Sequence, residues 1–179
     1  VNIFDTQLAN SFLDGNYSIG YQGLVHQKLG IDLNKNETRS NWIRRPLSDS
    51  QLKYAALDVE YLIYLYESQI KELQHSNKLN WLNEDIERLI YLTFNKTNDP
   101  EDLKRCISKA EENSLLYEMN KFVEEISYRE SINSTLFFSK KSQRDFLRLI
   151  FVAGVEGACK EITPWRKDLI KEDLFDLLK

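Results

Sequence analysis

Cysteine is scarce in this chain: Cys106 and Cys159 are the two among 179 residues. They are far apart, form no CxxC pair and lie beside apolar residues, which argues against a zinc site and fits reduced, buried thiols in a cytoplasm. A basic excess is missing too. Lys and Arg number 24 against 28 Asp and Glu, a formal charge of −4 with a pI of about 5.3. No chain-wide positive field draws in nucleic acid, so any such contact must be local. No apolar run approaches the roughly 20 residues needed to cross a bilayer. The opening lacks the basic-then-apolar pattern of a signal peptide. These two absences make the chain one expected to be soluble and cytoplasmic, without a membrane partner. There is no internal repeat, low-complexity tract or sustained heptad run. What is there is 42% hydrophobic residues, enough to build the core of one ordinary domain or two small ones.

The chain opens with Val1, Ile3 and Phe4, an apolar start that reads as a short strand. Such a strand leaves an edge with nothing to pair to unless something precedes it, so the opening is expected to be the middle of a domain. Asp5 and Thr6 cap a helix with Leu8, Ala9, Phe12 and Leu13 on its apolar side, ended by Asp14-Gly15-Asn16. A second helix follows Gly20, carries Leu24, Val25 and Leu29, and stops at Gly30, a residue suited to a left-handed cap. A polar loop over 31–47 finishes on Pro46, which disfavours helix at Arg45. Ser48 and Gln51 then make a capping box, and Leu52, Ala55, Ala56, Val59, Leu62, Ile63, Tyr66 and Ile70 recur at helical spacing as a core stripe. Composition shifts after about residue 73, and 74–83 reads as a linker. Beyond it the pattern predicts helices over 84–94, 100–112, 114–129, 141–153 and 166–178. Leu115, Leu116, Met119, Phe122, Val123 and Ile126 line the third, and Thr163-Pro164 is the cap and first-turn pair of the last.

The helix from Ser48 has a second face. Its core stripe centres near Leu52 and Val59, while Asp58 falls roughly 100° and Tyr54 roughly 140° away at helical pitch. Four residues apart, Tyr54 and Asp58 lie on the same side and can act at one site. A carboxylate there can bind a hard cation and a phenol beside it can orient a water; a Tyr and an Asp on a solvated face are also ordinary.

Tyr54-Ala55-Ala56-Leu57-Asp58-Val59 resembles the third exonuclease motif of the DEDD superfamily in its tyrosine-containing version. Its flanks are Phe4-Asp5-Thr6-Gln7-Leu8-Ala9, Gly23-Leu24, Leu29-Gly30-Ile31-Asp32-Leu33-Asn34-Lys35, Glu37-Thr38-Arg39-Ser40-Asn41-Trp42 and Arg45-Pro46-Leu47-Ser48. These occur in the order and spacing of ribonuclease D proteins. The resemblance implies a 3′–5′ exoribonuclease of RNA and tRNA 3′-end processing. In that family four carboxylates hold two divalent ions, Mg2+ or Mn2+. Asp58 would be one metal ligand and Tyr54 would position the attacking water. The family's first motif, an Asp-x-Glu on an early strand, has no counterpart in these residues, and neither has its second-motif Asp; Asp5 matches a capping aspartate instead. One carboxylate of four predicts a chain that is silent alone, completed by an upstream polypeptide, with the metal not held tightly.

The resemblance sets the expected organisation: 1–73 as the C-terminal part of the exonuclease domain, an α/β remnant of a ribonuclease H-like fold; 74–83 as linker; and 84–179 as a mostly α, HRDC-like nucleic-acid-binding region. Local basic clusters are the candidate RNA contacts. Lys35, Arg39, Arg44 and Arg45 with Trp42 form one, able to hold phosphate and stack a base, and Lys140, Lys141, Arg144 and Arg148 form a second. Solvated surface is the plain alternative for both, and a core role the alternative for Trp42. His26 and His75 have no partner at metal-ligand spacing. Two other readings remain: a non-catalytic RNA-binding helical protein, and a gene remnant without function.

Overall fold

A computed structural model describes residues 2–13, 17, 19–33, 36–95 and 108–171. Among them lie nine helices and no strand: α1 (Thr6–Phe12), α2 (Tyr21–Leu29), α3 (Asp49–Glu60), α4 (Leu62–His75), α5 (Leu79–Phe94), α6 (Lys109–Glu130), α7 (Ser134–Phe138), α8 (Lys140–Lys160) and α9 (Pro164–Ile170). The described part is helical throughout, and the α/β character expected of the first 73 residues is not seen in it. Residues 2–5 are irregular rather than a strand. Apolar alternation makes a strand only where another backbone completes the ladder, and the described residues offer none.

Local signals set the helix starts. Asp5 Oδ1 accepts the amides of Gln7 and Leu8, each at 2.9 Å, which confirms its role as the cap of α1. Ser48 and Gln51 form the capping box of α3, and Gly30 ends α2 at φ 69°. A box not foreseen, Ser108 with Glu111, starts α6, so 114–129 is one stretch of a longer helix. The helix expected over 100–112 falls for the most part outside the described residues, as do Asp14-Gly15-Asn16, Cys106 and 172–178. In α8 the helix predicted to end at 153 does break there. Gly154 sits at φ 72°, outside the helical region, before the last turn and a half resumes.

Residues 74–83 are not a linker. α4 runs to His75 and α5 starts at Leu79, so the two meet across Ser76, Asn77 and Lys78. The Lys78 side chain is buried, and its Nζ donates to the carbonyl of Ser131, the C-cap of α6, at 2.8 Å. One hydrophobic core then joins both halves of the chain. Ala9 and Phe12 of α1 and Leu73 of α4 share it with Leu82, Met119, Val123, Ile126, Phe137, Phe146 and Trp165. Polar, flexible-looking sequence was misleading because its turn residues close a tight helix–helix corner rather than a tether.

Trp165 is the centre of that core. Its ring meets Phe12 at 5.4 Å and stacks on Trp81 at 5.1 Å, and its indole N–H donates to Asp85 Oδ1 at 2.8 Å. Asp85 also takes a two-pronged contact from Arg166, whose Nη2 lies 2.9 Å from Oδ2. The remaining guanidinium donors reach Phe137 O, Thr163 Oγ1 and Leu136 O at 2.7–2.9 Å, so all five N–H groups are used. α9 has no side-chain cap of its own. Glu84 supplies one from α5 by accepting the Trp165 amide at 2.8 Å.

A smaller cluster packs α2 on α4 through Leu24, Val25 and Leu65, with Tyr21, Leu29 and Tyr61 around them. Lys28 Nζ closes it with a 2.9 Å pair to Glu72, which also accepts from Ser68. Burial raises the Glu72 pKa, and the bonds from Lys28 and Ser68 outweigh it, so the carboxyl sits below its usual value. A depressed folded value stabilises above the unfolded pKa and is lost as pH falls through the folded one. Glu72→Gln is therefore expected to lower the melting temperature modestly at neutral pH and to flatten the acid-side loss, so that parent and variant converge at low pH. A larger effect is expected at the core pair. Asp85→Ala strands a buried guanidinium and should cost about 3–5 kcal/mol in urea unfolding. A change below about 1 kcal/mol would show that the pair does not hold α9.

Candidate functional site

The expected single helix from Ser48 to about Ile70 is two. α3 ends at Glu60, Tyr61 sits at φ −97°, ψ 0°, and α4 begins at Leu62. The cause is a side chain from α2. In an unbroken helix the Tyr61 amide would donate to the Leu57 carbonyl. Here the Tyr21 hydroxyl stands between them, accepting from the Tyr61 amide at 3.2 Å and donating to Leu57 O at 2.9 Å. Insertion of a polar group into the helical ladder is a known source of kinks. Asp58 lies in the very turn that is opened. Burial pushes the Tyr21 phenol above its ordinary value against the Tyr61 bond, which lowers it, and the Asp58 carboxylate pushes it further up. The hydroxyl thus keeps the proton it donates.

The kink changes which residues are buried. α4 buries Leu65, Gln69 and Leu73, while α3 buries Gln51 alone. The stripe read as core is instead open: Leu52 is 54% exposed, Val59 59% and Ile63 67%, with Ala55, Ala56 and Tyr66 also exposed. Spacing identified a continuous apolar face correctly and assigned it a cover that the described residues do not provide. Phe4 meets Tyr66 edge-on at 4.9 Å beside this face, and Ile3 is exposed next to it in sequence.

Tyr54 and Asp58 sit one turn apart on α3, Tyr54 half-buried and Asp58 exposed. Loop 36–48 fixes the tyrosine. Trp42 packs on its ring with centroids 5.8 Å apart, and Thr38 Oγ1 lies 3.2 Å from its hydroxyl. The loop is itself tied to α3: Gln51 Nε2 donates to Ser40 Oγ at 3.0 Å and to Asn41 O at 3.2 Å, and Ser50 bonds the Glu37 carboxylate. Sequence reading named the tyrosine but missed Thr38, Gln51 and Tyr21. Gln51 was visible only as half of a capping box, and Tyr21 meets its partners 36 and 40 residues away, so nothing local marks it.

The basic candidates divide on inspection. Trp42 is half-buried, with its indole N–H on Glu37 O at 3.1 Å, while Arg45 is exposed and bonds Trp42 O and Arg44 O through Nη1. Arg39 and Arg44 are exposed, and their guanidinium groups bond nothing among the described residues; Lys35 falls outside them. In the second cluster Lys140 bonds Asn120 and Arg148 pairs with Glu112 at 2.9 Å, which leaves Lys141 and Arg144 on the surface. His26 reaches Asp32 at 3.6 Å, and both are exposed.

Among the described residues no group of three or more His, Cys, Asp or Glu side chains could hold a metal ion. The lone carboxylate of Asp58 does not fit a two-ion centre. No helix of the described part is long and apolar enough to cross a membrane.

Residues 1–74 match the model of a 3′–5′ exonuclease family. The chain also resembles ribonuclease D of Xanthomonas oryzae pv. oryzae, 49% identical over 88 residues, which is 49% of this chain and 24% of that protein. Over these lengths the chain is similar to ribonuclease D proteins and to the 3′–5′ exonuclease family. The ribonuclease D of Pseudomonas paraeruginosa is 41% identical over 105 residues, 59% of this chain and 27% of its own. The matches thus span about a quarter of the length of these relatives. A crystal structure of Escherichia coli RNase D, described as an exoribonuclease involved in structured RNA processing, aligns with 99% of this chain and 48% of that one, at 21% identity and a TM-score of 0.49.

The match of residues 1–74 to the exonuclease family gives the Tyr21 bridge its interest, because it shapes the turn that carries Asp58. Tyr21→Phe keeps the ring and removes two hydrogen bonds, so it should cost about 1–3 kcal/mol and speed amide exchange at Tyr61. A raised folded pKa contributes stability below the unfolded value of 10.0 that is lost as pH rises through the folded one. The gap between parent and variant should therefore narrow above that pH; a constant gap would mean the hydroxyl makes no such bridge.

Proposed function

We propose that this chain carries part of a ribonuclease D-type 3′–5′ exoribonuclease site and is silent on its own. The observation that supports this reading most is the placement of Tyr54 and Asp58, one turn apart on α3 within the segment matched to the exonuclease family, with the phenol held by Thr38 and Trp42. In this reading Tyr54 orients the water that attacks the terminal phosphodiester. Asp58 offers a hard oxygen donor of the kind Mg2+ or Mn2+ takes. The remaining carboxylates come from an upstream polypeptide. The exposed stripe Leu52, Val59, Ile63 and Tyr66 supports such a partner, since an apolar face of this length is ordinarily covered. Residues 1–73 stand as the C-terminal part of the exonuclease domain, and 84–179 as an HRDC-like region that aids RNA holding. RNA 3′ ends, tRNA precursors among them, are the substrates, in the cytoplasm.

The exposed basic side chains of Arg39, Arg44, Lys141 and Arg144 favour a second reading, a non-catalytic RNA-binding protein. An assay of 3′-end release from labelled single-stranded RNA and 3′-extended tRNA, with Mg2+ or Mn2+, separates the two. The chain alone is expected to release nothing. Combined with the upstream exonuclease segment of a relative it should become active, and Asp58→Ala should then lose on the order of 10²-fold or more, with Tyr54→Phe losing about as much. Full activity in Asp58→Ala would remove α3 from the site.

A further inference from the structure

Two guanidinium groups of loop 36–48 bond nothing among the described residues, and their setting says what they fit. Arg39 directly follows Thr38, whose hydroxyl lies 3.2 Å from that of Tyr54, so its backbone is fixed beside the candidate site. Arg44 is held from the other side of the loop, where Asn41 Oδ1 accepts the amides of Ile43 and Arg44 at 3.1 and 3.3 Å. Between them stands Ile43, 91% exposed, the most exposed large hydrophobic residue described. The fixing of the loop to α3 by Gln51, and of its interior by Trp42 and Arg45, means that this tip is ordered before any partner arrives. Pre-ordering lowers the entropic cost of binding.

The nearby carboxylates are not placed to neutralise the pair. Glu37 is bonded to Ser50, and neither Asp49 nor Asp58 contacts either arginine. Arginine's planar fork suits phosphate oxygens, and an apolar side chain next to it can lie against the face of an unpaired base. We infer that Arg39, Ile43 and Arg44 form a surface that grips single-stranded RNA, the arginines on its phosphates and the isoleucine on a base, while Trp42 builds the loop beneath it. This rests on the exonuclease reading only for its choice of RNA; the binding itself requires no catalysis. With a net charge of −4 on the chain, such a local grip is also the form that RNA contact must take.

Fluorescence anisotropy of the full chain with a short labelled single-stranded RNA, over a series of salt concentrations, tests it. Each phosphate contact on a single strand contributes about 0.7 to the slope of log affinity against log salt, so Arg39→Ala with Arg44→Ala should lower the slope by roughly 1.4. Neither guanidinium bonds another described residue, and the backbone bonds of Arg44 survive the substitution, so that variant should melt as the parent does. Ile43→Ser should weaken binding without altering the slope. Lys141→Ala with Arg144→Ala removes the same charge from α8 and should leave the slope nearly unchanged. If the α8 pair moves the slope and the loop pair does not, the surface is overturned and RNA binding by the chain survives. If the parent binds no RNA in a salt-dependent way, the surface is overturned as well, and the exonuclease reading is judged by the Asp58→Ala assay. If an acidic polypeptide displaces RNA at equal charge, the loop is a site for acidic proteins and the inference fails.

Discussion

The interaction on which the rest of the molecule depends is the buried contact of Asp85 with Arg166 and the Trp165 indole. A charge removed from water is tolerated only when its partners are complete, and here they are: the guanidinium uses all five donors, and the carboxylate accepts from both side chains of α9. This closure draws α5, α7 and α9 to one point. It also sets Trp165 where Phe12 of α1 can meet it, so that a helix matched to the exonuclease family is held by the last helix described. The position of α4, and through Tyr61 that of α3, follows from that anchoring.

Away from the core, α3 is governed by polar contacts at its two ends. Loop 36–48 grips the N-terminal half through Gln51, and Tyr21 opens the last turn. Tyr54 lies under the first of these and Asp58 within the second. The Tyr54 side chain is held by Thr38 and Trp42, and the turn carrying Asp58 is shaped by the Tyr21 hydroxyl, so local contacts rather than general packing set both. An exposed apolar stripe between them leaves room for a further layer.

Much of this was legible in the sequence because the signals are local. The Asp5 cap, the Ser48 and Gln51 box and Gly30 at the end of α2 each depend on residues within a turn of one another, and all three were read correctly. Tyr54 and Asp58 were singled out on a different ground, since their surroundings resemble a family motif in order and spacing. What failed was non-local. A break at Tyr61 caused by a hydroxyl from α2 leaves no trace in the residues around it, and helical spacing at Leu52, Val59 and Ile63 records that a face is apolar without recording what covers it. The corner at Ser76–Lys78 failed similarly: polar turn residues read as a tether until Lys78 is seen buried on Ser131.

The meeting of Phe12 with Trp165 constrains how such a protein can change over generations. Their rings shield each other although 153 positions of chain separate them. A recombination point at the α4–α5 corner, which the sequence would suggest as the natural place to exchange modules, would give both descendants a large aromatic surface open to water. The helical region is thus inherited with the segment before it, and gain or loss of modules in this lineage is cheaper at positions outside the stretch from α1 to α9.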